Sequence, residues 1–233
     1  MGVKLKHGDV IWIDLMPYID LRVIAKFVDY SKFYKFQDSD EWPFTSALLI
    51  YNQFYSEILF EQIDFKESEL LCTPYLVNWT RYTSDNIKVV EKLEISNYEM
   101  ILPQLRSMSY DLRNNDYEEE ERFSQIFYEG NYSVLIPDED FFYQKIENIP
   151  ISKCSHLDYD VPVGSLYFIR TRIFIEYLKL NKPDELKYDV FGKLPEFLKN
   201  PDNGGDDRFV FNRYAKMPLL KDIPKEYWFK TLP

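Results

Sequence analysis

Few side chains in this sequence are of the types that catalyse reactions or hold metal ions. The chain of 233 residues has two histidines, His7 and His156, and two cysteines, Cys72 and Cys154. Neither histidine has a metal-ligand neighbour at the spacing of a helical turn or a hairpin. We therefore predict no metal site. We expect both cysteines to be buried free thiols, because two distant cysteines make no disulfide framework.

Motifs that bind nucleotides or present a nucleophile are also missing from the sequence. No phosphate loop, dinucleotide fingerprint or nucleophile elbow occurs, and 7 glycines leave little material for such loops. The stretch NGGDDRFVF, 203–211, resembles the signature of bacterial diguanylate cyclases at Gly204, Gly205 and Asp206, and departs from it at the next two positions. We interpret it as a turn that leads into a strand. The sequence predicts no catalytic residue and no cofactor.

Acidic residues outnumber basic residues in this sequence. The chain has 39 Asp and Glu against 28 Lys and Arg, a formal net charge of -11. This charge disfavours nucleic acid, because phosphates are bound by clustered Lys and Arg. It favours a basic protein partner, although acidity can also serve solubility alone. The candidate partner-binding residues are Glu118, Glu119, Glu120, Glu121, Asp138, Asp140, Asp206, Asp207 and Trp12.

Strands in the first half are the elements that would position Trp12. The predicted strands lie at 9–15, 21–30, 46–55, within 69–80, and at 87–95. Residues 9–15 alternate, so Ile11, Ile13 and Leu15 form a core face while Trp12 and Asp14 point the other way. The first two strands predict a hairpin, and the continuous apolar run of the third predicts a well-buried strand.

The predicted fold class is α+β, mostly β. The N-terminal half is expected to be a small curved antiparallel sheet or a partly open barrel, and the C-terminal half to be mixed α/β. Residues 165–180 fit a helix by their apolar content, and a strand by their many β-branched and aromatic side chains. We place a β-rich domain at 1–110 and a mixed α/β domain or extension at 111–233, with a single domain as the alternative.

Short motifs along the first half resemble those of a bacterial immunity family. Gly8-Asp9-Val10 lies on the first strand and Arg22-Val23 on the second, followed by LLIYNQFY and a downstream LEI. This order is similar to the immunity proteins numbered twenty-six in the polymorphic-toxin classification, over residues 6–102. The resemblance implies a cytoplasmic, mostly β protein that neutralises a cognate toxin by binding it and has no catalytic residues.

The first strand also resembles that of the toxin ribonucleases of toxin–antitoxin pairs, through Gly8, Asp9, Trp12 and Asp14. Those enzymes have a proline after the arginine of the next strand, whereas Val23 stands here, and a ribonuclease needs a basic surface. We therefore predict a non-catalytic protein that binds a basic toxin. The N-terminus lacks an apolar signal region, so we expect a cytoplasmic location without membrane contact.

Two other functions stay open at this point. One is an enzyme that acts on a small molecule or carbohydrate through carboxylates and aromatic stacking, which a deep pocket with two converging acids of shifted pKa would favour. The other is a structural or adaptor module.

Overall fold

A computed structural model describes parts of both halves of the chain. The described residues are 3–16, 18–30, 46–57, 69–77, 81–82, 86–96, 99–108, 131–137, 143–154, 157–159, 166–186, 214–215, 217–224 and 229–231. The strands are β1 (Val3–Lys4), β2 (Asp9–Asp14), β3 (Arg22–Asp29), β4 (Ser46–Tyr55), β5 (Tyr75–Val77), β6 (Arg81–Tyr82), β7 (Ile87–Lys92), β8 (Ile101–Pro103), β9 (Leu105–Met108), β10 (Asn131–Pro137), β11 (Tyr143–Pro150), β12 (Asp158–Tyr159) and β13 (Phe229–Thr231). The helices are α1 (Ile151–Cys154) and α2 (Leu166–Asn181), with 3-10 turns at Pro183–Leu186 and Leu220–Asp222.

The N-terminal half forms an open antiparallel sheet of five strands, in the order β5-β4-β3-β2-β7, which we call sheet 1. The hairpin of β2 and β3 has the register Val10↔Lys26 to Asp14↔Arg22. The predicted hairpin and the buried third strand are therefore confirmed. The α+β, mostly β class is confirmed as well, and sheet 1 does not close into a barrel.

Three smaller sheets complete the described fold. Sheet 2 has the order β11-β10-β9-β12, in which β12 runs parallel to β9, and the pairs β1-β6 and β13-β8 are two-stranded. Residues 229–231, near the C-terminus, form β13 and pair antiparallel with β8. The short strand β8 is not part of sheet 1, and its pairing with β13 supplies hydrogen-bond partners for its backbone groups.

Both faces of sheet 1 are covered. The predicted core residues Ile11, Ile13 and Leu15 are completely buried, which confirms that face. On the opposite face Val10 and Val28 are completely buried too, beneath residues 99–105 and the turn at Leu220. Burial on both faces explains why β3 and β4 lack the polar–apolar alternation of a half-exposed strand.

Residues 166–181 form a helix, and different sides of this helix pack against different neighbours. Ile169 and Ile173 belong to the core cluster under sheet 1, whereas Phe174 and Leu178 pack in a second cluster beside sheet 2. A helix that is buried on several sides needs apolar residues nearly all round, so no single stripe marks it in the sequence. The domain boundary near 110 stays a prediction.

The Gly8-Asp9 step of the first motif has a structural role. Gly8 adopts a φ of +86°, and a Cβ at this position would overlap the backbone oxygen of Leu93. Its N–H donates to Phe27 O at 2.9 Å, and its carbonyl accepts from Leu93 N at 2.9 Å. The buried Asp9 accepts from Lys6 N at 2.7 Å. The turn therefore joins the start of β2 to β3 and to the segment after β7.

Candidate partner-binding surface

The face of sheet 1 that carries Trp12 has two ends. At one end, which we call the sealed end, apolar side chains of residues 99–105 and of Leu220 cover the strands. At the other end, which we call the open end, Trp12 and Tyr55 stay half-exposed. Both ends are built on β2, β3 and β4, so their different covering is what distinguishes them.

The sealed end holds a buried charged group, the Glu99 cluster, made of Lys26, Tyr51, Ser96 and Glu99. Lys26 Nζ lies 2.5 Å from Glu99 Oε1, and both side chains are 4% exposed. The Tyr51 hydroxyl donates to the same oxygen at 2.5 Å. The other oxygen, Oε2, accepts from the Ser96 N–H at 2.9 Å and from the Ser96 hydroxyl at 2.5 Å. Both carboxylate oxygens therefore have partners within the chain.

These contacts keep Glu99 ionised. Burial alone raises the pKa of a carboxyl group, because it disfavours the charged form. Here the hydrogen bonds from Lys26, Ser96 and Tyr51 outweigh burial, and the pKa of Glu99 lies below its usual value. An ionised carboxylate whose oxygens are all engaged and out of contact with solvent is suited to holding the 96–105 segment on sheet 1, and unsuited to proton transfer with a substrate.

The open end presents two rows of side chains that the strand register places side by side. Lys88, Trp12 and Ile24 form one row across β7, β2 and β3, because directly opposed residues of antiparallel strands share a face. Asp14, Arg22 and Tyr55 form the next row across β2, β3 and β4. We call Trp12, Asp14, Arg22, Tyr55 and Lys88 the Trp12 patch.

The contacts inside the Trp12 patch are looser than those of the Glu99 cluster. Lys88 is exposed, and its Nζ lies 5.1 Å from the centroid of the Trp12 ring, a cation–π contact. The Tyr55 hydroxyl donates to Gln53 Oε1, and burial raises the pKa of Tyr55. Both rings nevertheless keep part of their surface in solvent.

Arg22 fixes the shape of the patch. Its Nη1 donates to Asp20 Oδ1 at 2.8 Å and to the carbonyl oxygen of Ser56 at 2.6 Å. Its Nε lies 3.5 Å from Asp14 Oδ2, and the side chains of Asp14 and Arg22 are each 24% exposed. The guanidinium thus ties the ends of β2 and β4 to the hairpin loop. Arg22 is therefore engaged by groups inside the chain.

The edge of sheet 1 next to the patch carries features that oppose the addition of another strand. Within the described residues β7 pairs with β2 alone. Val10 is opposite Glu91 and Ile11 is opposite Val89, so Val90 is an extra residue in a β-bulge. Bulges and exposed charged side chains such as Lys92 and Glu91 discourage edge pairing. The face of the sheet is therefore the better binding surface.

Buried arginines elsewhere in the fold lie over tyrosine rings. The Arg172 Cζ is 3.6 Å from the ring centroid of Tyr214, and the Arg106 Cζ is 5.3 Å from that of Tyr132. Arg172 Nε also lies 3.0 Å from Glu176 Oε1, one helical turn along α2. These charges are 1–3% exposed and have core partners, so Arg172 and Glu176 contribute to the packing of α2, and Arg106 to that of sheet 2, rather than to an accessible site.

The two cysteines are free and buried, as predicted. Burial raises the pKa of the Cys154 thiol, and the nearby charge of Arg106 opposes that shift only in part. A buried thiol with a raised pKa is a poor nucleophile.

The sequence-predicted partner residues divide into two groups. Trp12 lies in the patch, on the face expected for it. The eight acids at 118–121, 138, 140, 206 and 207 lie outside the described residues. Asp14, Arg22, Tyr55 and Lys88 were not predicted as partner residues. The register of the hairpin pairs Asp14 with Arg22. The length of the predicted hairpin loop would have been enough to propose this pair from the sequence.

The described residues contain no group of three or more His, Cys, Asp or Glu side chains that could hold a metal ion. No helix among them is both long enough and apolar enough to cross a membrane.

Comparison of the chain with protein-family models, with curated protein sequences and with solved structures finds no match in any of the three.

Proposed function

We propose that this chain is a non-catalytic, cytoplasmic binding protein that neutralises a basic toxin by direct contact. The observation that carries the proposal is the Trp12 patch, where Trp12, Tyr55 and Arg22 are half-exposed on a face whose other end is sealed by residues 99–105 and Leu220. Tryptophan, tyrosine and arginine are the residue types most enriched among the binding hot spots of protein interfaces. Their position on adjacent strands makes them rigid, which lowers the entropy lost on binding.

The charge of the chain supports a basic partner. The formal net charge is -11, and a negative potential speeds the encounter with a positively charged protein. At the patch itself the carboxylates of Asp14 and Asp20 flank Arg22, and Lys88 adds a second positive charge, so the local charges balance. The net charge of the whole chain is therefore what favours a basic partner.

The buried carboxylates support a role without catalysis. Glu99 is paired with Lys26, and Glu176 lies 3.0 Å from Arg172 and 2.9 Å from Lys179. An enzyme of the alternative kind would need two acids that converge in an open cleft. That alternative stays a prediction, and no contact among the described residues favours it.

The product of a neighbouring gene provides the direct test. Each gene that flanks this one would be expressed in a bacterial host with and without the present chain, and growth would be followed. We expect one product to be toxic alone and harmless together with this chain, and to bind the purified chain in titration calorimetry. If no flanking product is toxic and none binds, the proposed function is wrong.

A further inference from the structure

The hairpin loop beside the Trp12 patch carries an unusually exposed apolar side chain. Met16 is 46% exposed, and Ile146, at 44%, is the other large apolar residue exposed to this degree in the described part of the chain. Ile146 lies far along the sequence on β11, whereas Met16 follows two residues after Asp14. Methionine adapts its shape to irregular pockets, which makes it a frequent contact residue on binding surfaces.

The loop that carries Met16 is held in place on both sides. Met16 N–H donates to Asp14 Oδ1 at 2.9 Å, which ties it directly to the Trp12 patch. On the other side the Tyr18 hydroxyl lies 2.8 Å from Thr171 Oγ1, and the Tyr18 ring stacks on Phe174 with centroids 5.1 Å apart. The backbone at Met16 is thus fixed by β2 and α2, and a partner could bury its side chain with little ordering of the loop.

The carboxylate of Asp14, which accepts from the Met16 N–H, lies next to this exposed methionine. The Asp20 side chain, in the same loop, is 75% exposed. Glu57 is exposed next to Ser56, whose carbonyl oxygen binds Arg22. An apolar side chain bordered by negative charge is complementary to an apolar pocket bordered by Lys or Arg.

We propose that Met16 is an anchor residue of the partner-binding surface, and that the partner receives it in an apolar pocket rimmed by basic side chains. This inference rests on the proposed function, because it extends the Trp12 patch onto the hairpin loop. It also adds a requirement on the partner, namely an apolar cavity within its basic surface.

A peptide library tests the anchor without knowledge of the natural partner. Disulfide-closed peptides displayed on phage would be selected on the unaltered full chain, and the best binders would be synthesised. We expect sequences that combine Lys or Arg with apolar residues. Their affinity should fall about tenfold or more for Met16→Lys and stay within about threefold for Met16→Leu.

Ile146→Lys is the matched control, because it places the same charge on the other highly exposed apolar position. Unfolding midpoints of the Met16 and Ile146 variants should agree with that of the unaltered chain, since both side chains are close to half exposed. If the peptides bind Met16→Lys as well as the unaltered chain but lose affinity for Trp12→Ala, the anchor is wrong and the Trp12 patch stands. If neither substitution changes the affinity of the peptides, Met16 and the Trp12 patch are both contradicted as binding surfaces. The flanking-gene experiment then decides the proposed function by itself.

Discussion

The two ends of one face of sheet 1 use the same strands for different purposes. At the sealed end the charged side chains of Lys26 and Glu99 are 4% exposed and their atoms are 2.5 Å apart. At the open end Asp14 and Arg22 are 24% exposed and separated by 3.5 Å. A buried charge must be satisfied within the fold, whereas a half-exposed one keeps capacity for a partner. A binding surface is therefore better sought at the open end, where these side chains remain partly accessible to solvent.

The covering segment accounts for this difference. Residues 99–105 cross the sealed end, and their strand β8 is paired in turn with β13. Removing the charge that holds this segment should therefore affect folding, and changes at the open end should affect binding. The predictions below test that division.

Loss of the Glu99 carboxylate should cause the largest effect. Glu99→Ala leaves the buried ammonium of Lys26 without its partner, which typically costs about 3 to 5 kcal/mol of unfolding free energy. Urea unfolding followed by circular dichroism measures this loss.

A double variant separates the ion pair from packing. Lys26→Met combined with Glu99→Leu removes both charges and keeps similar volumes, so it should be much more stable than Glu99→Ala. If Glu99→Ala unfolds at the same urea concentration as the unaltered chain, the sealed end is not held by this cluster.

Gly8 marks the junction of β2 with the sealed end, and Gly8→Ala should have the second largest effect. The φ of +86° strains any side chain, and a Cβ would meet Leu93 O, so we expect a loss of roughly 2 kcal/mol or more. Thermal and urea unfolding measure it. A variant as stable as the unaltered chain would show that the turn can rearrange, and that the Gly-Asp step is not required by the fold.

Acid should weaken the sealed end selectively. The pKa of Glu99 is lowered from its usual value of 4.5, so its ionised form stabilises the folded state above that pH. This contribution to the free energy of unfolding begins to decrease below pH 4.5, and it is lost as the pH falls through the lower pKa of Glu99 in the folded state. The stability difference between the unaltered chain and Glu99→Gln should be constant at neutral pH and shrink in this acid range. A difference that grows with acidity would contradict the direction of the pKa shift.

The smallest effect is expected at the open end. Lys88→Ala removes the cation–π contact with Trp12, which is worth about 0.5 to 1 kcal/mol at an exposed site. Lys88→Arg should retain it. If urea unfolding gives Lys88→Ala a loss as large as that of Glu99→Ala, the open end is as important to folding as the sealed end, and the comparison fails.

Local patterns predicted much of the first half of the fold. The alternation at 9–15 predicted both the strand and its core face, and the apolar run at 46–55 coincides with β4. These predictions succeeded because strand periodicity and continuous apolar runs are local signals of burial. Ser96 and Glu99 have the spacing of a capping box, and the Ser96 N–H donates to Glu99 Oε2 at 2.9 Å.

Long-range contacts decided what local patterns could not. The sequence left residues 165–180 open between helix and strand because α2, which spans 166–181, is enclosed by several neighbours. The pairing of β13 with β8 joins segments more than 120 residues apart. The partner of Glu99 is Lys26, 73 positions away, and no local pattern marks it. The charges of α2 did carry an unused signal, since Arg172, Glu176 and Lys179 have helical spacing.

The affinity of Trp12→Ala for the flanking gene's toxic product tests the central claim most directly. Trp12 is half-exposed, so its truncation should leave the chain folded while removing a central aromatic contact of the interface. The account predicts that the dissociation constant rises about tenfold or more, with circular dichroism and the cooperativity of unfolding retained. An unchanged dissociation constant in a folded variant would contradict the assignment of the open end as the binding surface.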